Sequence, residues 1–468
     1  MKMDNKNVFV AIALSMSVLL FWGAFFETPK KQTSIQNQEK ISDVENEITP
    51  SINQKIQKKS LSRQDALSES DRVLIKNKNV EGSISLKGGI LDDLSFINYK
   101  KELNDDQRVV FLNPKEIEDG YFVETGWTSI KNEVKVPALD TQWKVKGNKL
   151  LSPGNPVVLE WNNNEGLIFK KIISLDEKFL FKINQEVQNN SSKNYQLFPY
   201  AQITRNKKPD DVQGFYILHE GFIGVFDGDL KEDGYEDIKD KKIIREANNG
   251  WLGITDKYWM TAVVPPKDSS FKSSFLYKDS FKANYILNDP VVLTASSKAS
   301  NEIRLFAAAK EVDTVDGYAA SEKIEKFDLV IDWGWFYFFT KPLFFVIDYL
   351  FKFSGNFGIA IVLITLAIRV IFFPLANYSF RSMAKMKALQ PELTRLKELH
   401  KEDKVKLQQE MMALYRKEKI NPASGCLPIL IQIPFFFAIY KMLFISLEMR
   451  HQPFFGWIQD LSAKDPTT

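Results

Sequence analysis

The sequence predicts a multi-domain membrane protein, with one large antiparallel β-sandwich joined to a few apolar helices that carry a basic helical hairpin. Three observations predict it. From Val73 to Leu329, short apolar or alternating runs are separated by Gly, Asn, Asp and Pro clusters every 8 to 12 residues, the rhythm of a sandwich. The stretches 8–26, 355–375 and 426–446 hold 19 to 21 residues with at most one charge each, long enough to cross hydrocarbon. Between the last two, the polar segment 379–420 carries 11 Lys plus Arg against 6 Asp plus Glu, and its apolar residues recur at steps of three and four.

Composition narrows what such a chain does. Its 468 residues leave room for about three domains. Hydrophobic residues at 44% and charged residues at 26% match an ordinary globular mixture, which excludes a disordered, collagen-like or many-span chain. The apolar load is local, since 17 of the 36 phenylalanines fall between Trp333 and Trp457. The single cysteine, Cys426, excludes an intramolecular disulfide framework and a zinc site built on several thiolates. Three widely spaced histidines, His219, His400 and His451, leave little for a metal or nucleophile centre. No Walker loop, G-x-G-x-x-G or G-x-S-x-G is present. The run from Asp227 to Asp233 fails as a calcium loop, because Lys231, Glu232 and Ile238 stand where a ligand, a glycine and a bidentate acid are needed, and a solvated turn is expected instead. The β domain reads as a binding or spacer module rather than an enzyme.

Taken in order, residues 1–27 form a transmembrane anchor that is not cleaved, because the apolar run ends in bulky Phe25 and Phe26 rather than small residues. Residues 28–71 are too polar to order themselves and form a tether. Residues 72–330 are the β domain, with strands expected at Ser83 to Leu86, Val157 to Trp161, Leu167 to Leu175 and Phe179 to Val187. Residues 331–354 interleave aromatics with occasional charges, as in a helix lying in the membrane interface; the alternative is a core helix of the β domain. Residues 355–377 are a second span, and 378–424 a hairpin of two antiparallel helices turning at His400 to Asp403, with Pro391 starting or kinking one of them. Residues 425–446 are a third span, and 447–468 a final segment on the far side.

The hairpin segment 379–420 has a net charge of +5, leaving −2 for the rest of the chain, so it should be cytoplasmic, with the N-terminus inside and the β domain outside. Arg369 and Gln432 are then intramembrane polar residues at similar depth near the hairpin side. A cation there is costly against lipid, so Arg369 faces a cavity, a partner or water, or else snorkels to the interface. Lys441, near the outer end of its span, is expected to snorkel. The Met and Leu stripes, including Met383, Met386 and Met411, suit adaptable contact with varied apolar surfaces.

At these residues the chain resembles a known family. Ser382-Met383-Ala384-Lys385-Met386, Leu389-Gln390-Pro391, Glu410-Met411-Met412-Ala413-Leu414-Tyr415 and Asn421-Pro422-x-x-Gly425-Cys426-x-Pro428 are similar to the YidC-type bacterial membrane protein insertases, and the order of segments agrees over essentially the whole chain. The resemblance implies a periplasmic all-β supersandwich, an α-helical insertase core with a cytoplasmic hairpin, and an inner-membrane location. It implies insertion and folding of nascent inner-membrane proteins in the lipid bilayer, alone or with the Sec translocon, with no cofactor, metal, nucleotide or specific nucleic-acid recognition. It also implies a hydrophilic groove containing Arg369, with Thr365 one turn before it and Gln432 on the facing span, and assigns Met383, Met386, Met411 and Met412 to the contact hairpin. Family members continue with further spans, so a chain stopping at Asp465-Pro466-Thr467-Thr468 is expected to be a fragment, and Lys441 stands where the family suggests an aromatic or apolar residue. The rival reading is a membrane-anchored periplasmic carbohydrate-binding or carbohydrate-processing protein whose function lies in the β domain.

Overall fold

The computed structural model describes residues 61–129, 133–210, 212, 218–401, 403–418 and 427–463. The expected anchor, the tether up to residue 60, the motif at Asn421, Pro422, Gly425 and Cys426, and the last five residues lie outside the described residues.

Period-two patterning becomes two sheets packed face to face. The larger has 11 strands, in the order Ile243–Ala247, Phe271–Tyr277, Phe281–Leu287, Tyr195–Arg205, Tyr121–Ser129, Ile90–Lys100, Val80–Ser85, Arg72–Lys76 and Leu150–Leu151, with Val291–Leu293 and Arg108–Leu112 pairing at the sides. The second has nine: Asp229–Gly234, Gly221–Phe226, Gly250–Thr255, Trp259–Val264, Lys298–Ala309, Leu180–Asn189, Leu167–Leu175, Val157–Asn162 and Lys144–Lys146. This is the expected supersandwich. All pairings are antiparallel except Arg72–Lys76 with Leu150–Leu151. Phe96, Trp127, Phe169, Phe222, Trp251 and Phe271 are fully buried in the core between and around the sheets, each contributing about 1.5–3 kcal/mol of burial.

Strand Leu167–Leu175 shows how alternation dictates burial, with every second residue inward. One of those is Lys171. Its ammonium donates to the Gly89 carbonyl at 3.0 Å and lies over the Trp143 ring at 5.1 Å, and burial pushes its pKa down to about 8 against the pull of Glu124. Gly89 must be glycine, since its φ is +60° and a Cβ would meet Trp143 Nε1 at 2.9 Å. Asp227 and Gly228, at φ +49° and +85°, form the two-residue loop joining strands Gly221–Phe226 and Asp229–Gly234, so the failed calcium loop is a hairpin turn.

Short helices α1 (Arg63–Ser68) and α2 (Tyr235–Asp240) and the longer α3 (Val312–Ser321) pack on the sandwich. Helix α4 (Tyr337–Ser354), in the segment expected to lie in the membrane interface, starts six residues later than expected, because Gly334 adopts φ +73° and interrupts the backbone. It buries Thr340, Phe344 and Ile347 while Phe338, Tyr349 and Phe353 are 63%, 70% and 79% exposed, which is not the pattern of a core helix. Helix α5 (Phe357–Ala388) runs on through Pro374 and past the expected span boundary, so the first Met stripe belongs to its last turns. Pro391 opens α6 (Gln390–Leu399), Asp403 caps α7 (Lys404–Lys417) by accepting from the Lys406 amide at 3.0 Å, and α8 is Leu427–Ile445. Two helices, Phe357–Ala388 and Pro428–Ile445, are long and apolar enough to cross a membrane.

Candidate functional site

Helices α5 and α8 run antiparallel from a shared end beside the β domain, and their contact is aromatic. Phe435 of α8 packs against Phe372 of α5, ring centroids 5.0 Å apart, and against Phe339 of α4 at 4.7 Å. Thr365, Arg369 and Phe372 follow at steps of four and three, so they line one stripe of α5. Thr365 donates back to the Ile361 carbonyl at 2.7 Å, which satisfies its hydroxyl within the helix. Thr365 and Arg369 are both exposed, whereas Ile364 on the packed side is 2% exposed. Arg369 forms no ion pair among the described residues.

Gln432 is half-buried on α8, one turn before Phe435. Because the helices are antiparallel, the Phe372–Phe435 contact places Arg369 one turn toward the β domain and Gln432 one turn toward the hairpin. At 1.5 Å per residue they are offset by about 9 Å along the helix axes, not level. Counting from Pro374 and Cys426 misjudged this because α5 does not end at the proline.

The hairpin has the expected seam. Leu393 and Leu396 on α6 and Leu407, Met411, Leu414 and Tyr415 on α7 are half-buried, while the other described residues of these two helices are exposed. The four methionines divide, with Met386 and Met411 half-buried and Met383 and Met412 exposed at 37% and 43%. No residue of α6 or α7 is fully buried, so two marginal helices support each other with little else.

The β domain and helices meet through charged contacts that the sequence reading missed. Lys441 of α8 is 11% exposed in its side chain and pairs with Asp332 at 2.6 Å. Snorkelling was expected; the stem does reach outward, but its ammonium ends on a carboxylate, and Asp332 also accepts from the His219 and Gly334 amides. A Cβ at Gly334 would stand 3.2 Å from the Lys441 chain, so the glycine also makes room for the lysine. The signal was present as an isolated acid in an aromatic run and an isolated cation in an apolar one. Lys341 of α4 bridges Asp316 at 3.0 Å and Asp328 at 2.9 Å, and Glu448 accepts from the first amide of α3 at 3.0 Å. A cavity of about 610 Å³ beside the Lys441–Asp332 pair is lined by Glu232, Trp333, Trp335 and Phe437 among others. Burial raises the Glu232 carboxyl against the opposing pull of His219.

Comparison with known proteins follows the same division. The family described as YidC periplasmic domain matches residues 72–346, and the family described as 60Kd inner membrane protein matches residues 349–468. Membrane protein insertase YidC of Pelagibacter ubique is 52% identical over 470 residues, covering 100% of this chain and 83% of that protein. The protein of the same name from Methylorubrum extorquens is 44% identical over 503 residues, covering 99% and 81%. Among solved structures, an active YidC insertase with its first transmembrane domain resolved is similar over 85% of this chain and 78% of its own, at 17% identity and a TM-score of 0.31. A galactose mutarotase related enzyme from Lactobacillus acidophilus is similar over 51% of this chain and 97% of its own, at 11% identity and a TM-score of 0.35.

Proposed function

The chain belongs to the YidC family of membrane protein insertases, and on that premise we propose that it inserts nascent membrane proteins along an open groove on α5 and α8 in which Arg369 supplies positive charge. It is an inner-membrane protein, an insertase rather than a carbohydrate-processing enzyme, acting on membrane proteins in the lipid bilayer. The observation that carries the groove is the exposed stripe Thr365–Arg369, with Arg369 unpaired among the described residues, above the aromatic contact that joins the two helices.

The physics is one of a shortened dry path. Moving the polar end of a substrate through hydrocarbon costs several kcal/mol for each unsatisfied group, and water held along Arg369, Thr365 and Gln432 lowers that cost while the guanidinium attracts acidic segments. Partition of the substrate's apolar residues, at about 0.8 kcal/mol for each buried CH₂, then drives release into lipid without nucleotide. The 9 Å offset makes Gln432 the first polar contact from the hairpin side and Arg369 the deeper one, a two-step polar path. The basic hairpin faces the cytoplasm, the N-terminus is cytoplasmic and the β domain periplasmic. The hairpin methionines meet nascent chains or the ribosome, and the protein works alone or beside the Sec translocon.

A photo-crosslinker placed at Thr365 or Gln432 of the full-length protein should capture a nascent single-span substrate, while one at Phe353, on the exposed face of α4, should not. Equal capture from all three positions would contradict the groove. A cysteine at Lys401 should be modified only from the cytoplasm and one at Lys267 only from the periplasm, with Cys426 replaced by serine.

A further inference from the structure

We propose that the cavity between strand Arg108–Leu112, the turn around Lys257 and the segment after α8 binds the headgroup of an acidic phospholipid, an anionic phosphodiester bearing a glycerol. The inference rests on the proposed topology, in which the C-terminal end of α8 reaches the outer surface of the membrane.

The cavity is about 860 Å³. Three of its lining cations, Lys101, Lys257 and Arg450, form no ion pair among the described residues. Their partners are neutral. Arg450 donates to the carbonyls of Lys100 and Lys101 at 2.7 and 2.8 Å, and its guanidinium lies over Trp259 at 5.6 Å. The Lys257 ammonium lies over the Phe444 ring at 4.1 Å and the Tyr258 ring at 4.9 Å. The other two cations are neutralised, Arg205 by Asp256 at 2.7 Å and Arg108 by Glu81. Of the acids, Asp460 accepts from the His451 and Ser462 amides and the Ser462 hydroxyl, and Glu220 from the Lys257 amide. Lys101, Lys257 and Arg450 thus have no carboxylate at ion-pair distance, with Glu220 acting on Lys257 and Asp460 on Arg450 only from beyond it, and a phosphate would supply the direct contact. Glu102 and Asp460 on the same wall suit the hydroxyl donors of a glycerol headgroup.

Position selects a lipid as the source. Phe444 is in the last turn of α8, so Lys257 sits at the level where that helix would leave hydrocarbon. The segment that closes the cavity also presents Phe455 and Trp457, 60% and 64% exposed, as interfacial anchors beside it. Burial lowers the Lys257 pKa, consistent with an ammonium set against rings and away from bulk water.

The test uses the full-length protein in neutral detergent micelles with photoactivatable phosphatidylglycerol or phosphatidylcholine. Phosphatidylglycerol should label peptides from 446–463 and around Lys101 in preference to phosphatidylcholine, and a Lys101→Gln, Lys257→Gln double variant should lose on the order of tenfold in labelling at unchanged Tm. Lys257→Arg should retain it. Lys101→Gln alone, at an exposed side chain, provides a partial loss independent of packing. Equal labelling by the two lipids, or an unchanged double variant, would overturn the site; abolition by excess inorganic phosphate would overturn the lipid in favour of a free anion. Micelles have no sides, so the outcome is independent of chain orientation, which cysteine accessibility tests separately.

Discussion

Lys441 and Asp332, 2.6 Å apart, join the C-terminal half of α8 to the loop that leads out of the β domain into α4. Both side chains are mostly buried, at 11% and 17% exposure. Removing either partner therefore takes from the other its counter-charge at 2.6 Å in a site with little water. Lys341 repeats the device on α4. Mostly buried ion pairs thus fasten the β domain to the helices beside a continuous apolar core that includes Ile331, Trp333, Phe344, Ile364 and Met442.

Lys441→Met and Asp332→Asn should each destabilise the protein by about 1–3 kcal/mol, the usual cost of stranding a buried partner. The double variant should lose less than the sum, with a coupling of about 0.5–3 kcal/mol. A double-mutant cycle on unfolding in detergent measures it. Additive losses would mean the two residues act separately.

Asp92 provides a pH signature inside the sandwich. Its carboxyl is 2% exposed, and burial raises it to about 6 despite the ion pair with Arg72. A carboxyl raised above its unfolded value near 3.8 contributes stability below that pH and loses it as pH climbs through 6. Stability should fall by about 1–3 kcal/mol between pH 4 and 6 from this group and be flat above. Asp92→Asn should remove that slope. The comparison is of Tm for variant and wild type from pH 4 to 7; parallel curves would show that Asp92 does not titrate there.

In the hairpin, exposed and seam methionines should separate. Met383→Asp with Met412→Asp places charges on exposed positions and should reduce substrate insertion while helicity is kept. Met411→Asp, in the half-buried seam, should reduce helicity as well. Circular dichroism beside an insertion assay distinguishes them, and undiminished insertion by the exposed pair would make the hairpin a connector.

Much of this was legible because local rules govern it. The strand Leu167–Leu175 shows in its alternation, the turn at Asp227–Gly228 in its residue types, and α6 in Pro391. What was hidden depends on tertiary placement. No local pattern says that α5 continues through Pro374, because helix formers beyond the proline resume the ladder. Neither does any spacing reveal that Lys441 meets Asp332, 109 positions away in sequence, or that Arg369 and Gln432 are offset by the Phe372–Phe435 contact. Thr365 was drawn from resemblance alone, and its place on the Arg369 stripe agrees with that assignment without testing it.

The central claim is that Arg369 acts as an exposed cation on the substrate path. The most direct measurement is insertion of one single-span substrate, its translocated tail made acidic, neutral or basic, by full-length wild type, Arg369→Ala and Arg369→Lys. At an effective dielectric near 20, one charge pair at about 4 Å is worth up to about 4 kcal/mol, so Arg369→Ala should cut insertion of the acidic tail by tenfold or more and of the neutral tail far less. Arg369→Lys should largely restore the acidic tail. Equal loss for the three tails in Arg369→Ala, or no loss for any, would contradict the account and leave Arg369 a hydrating or snorkelling residue.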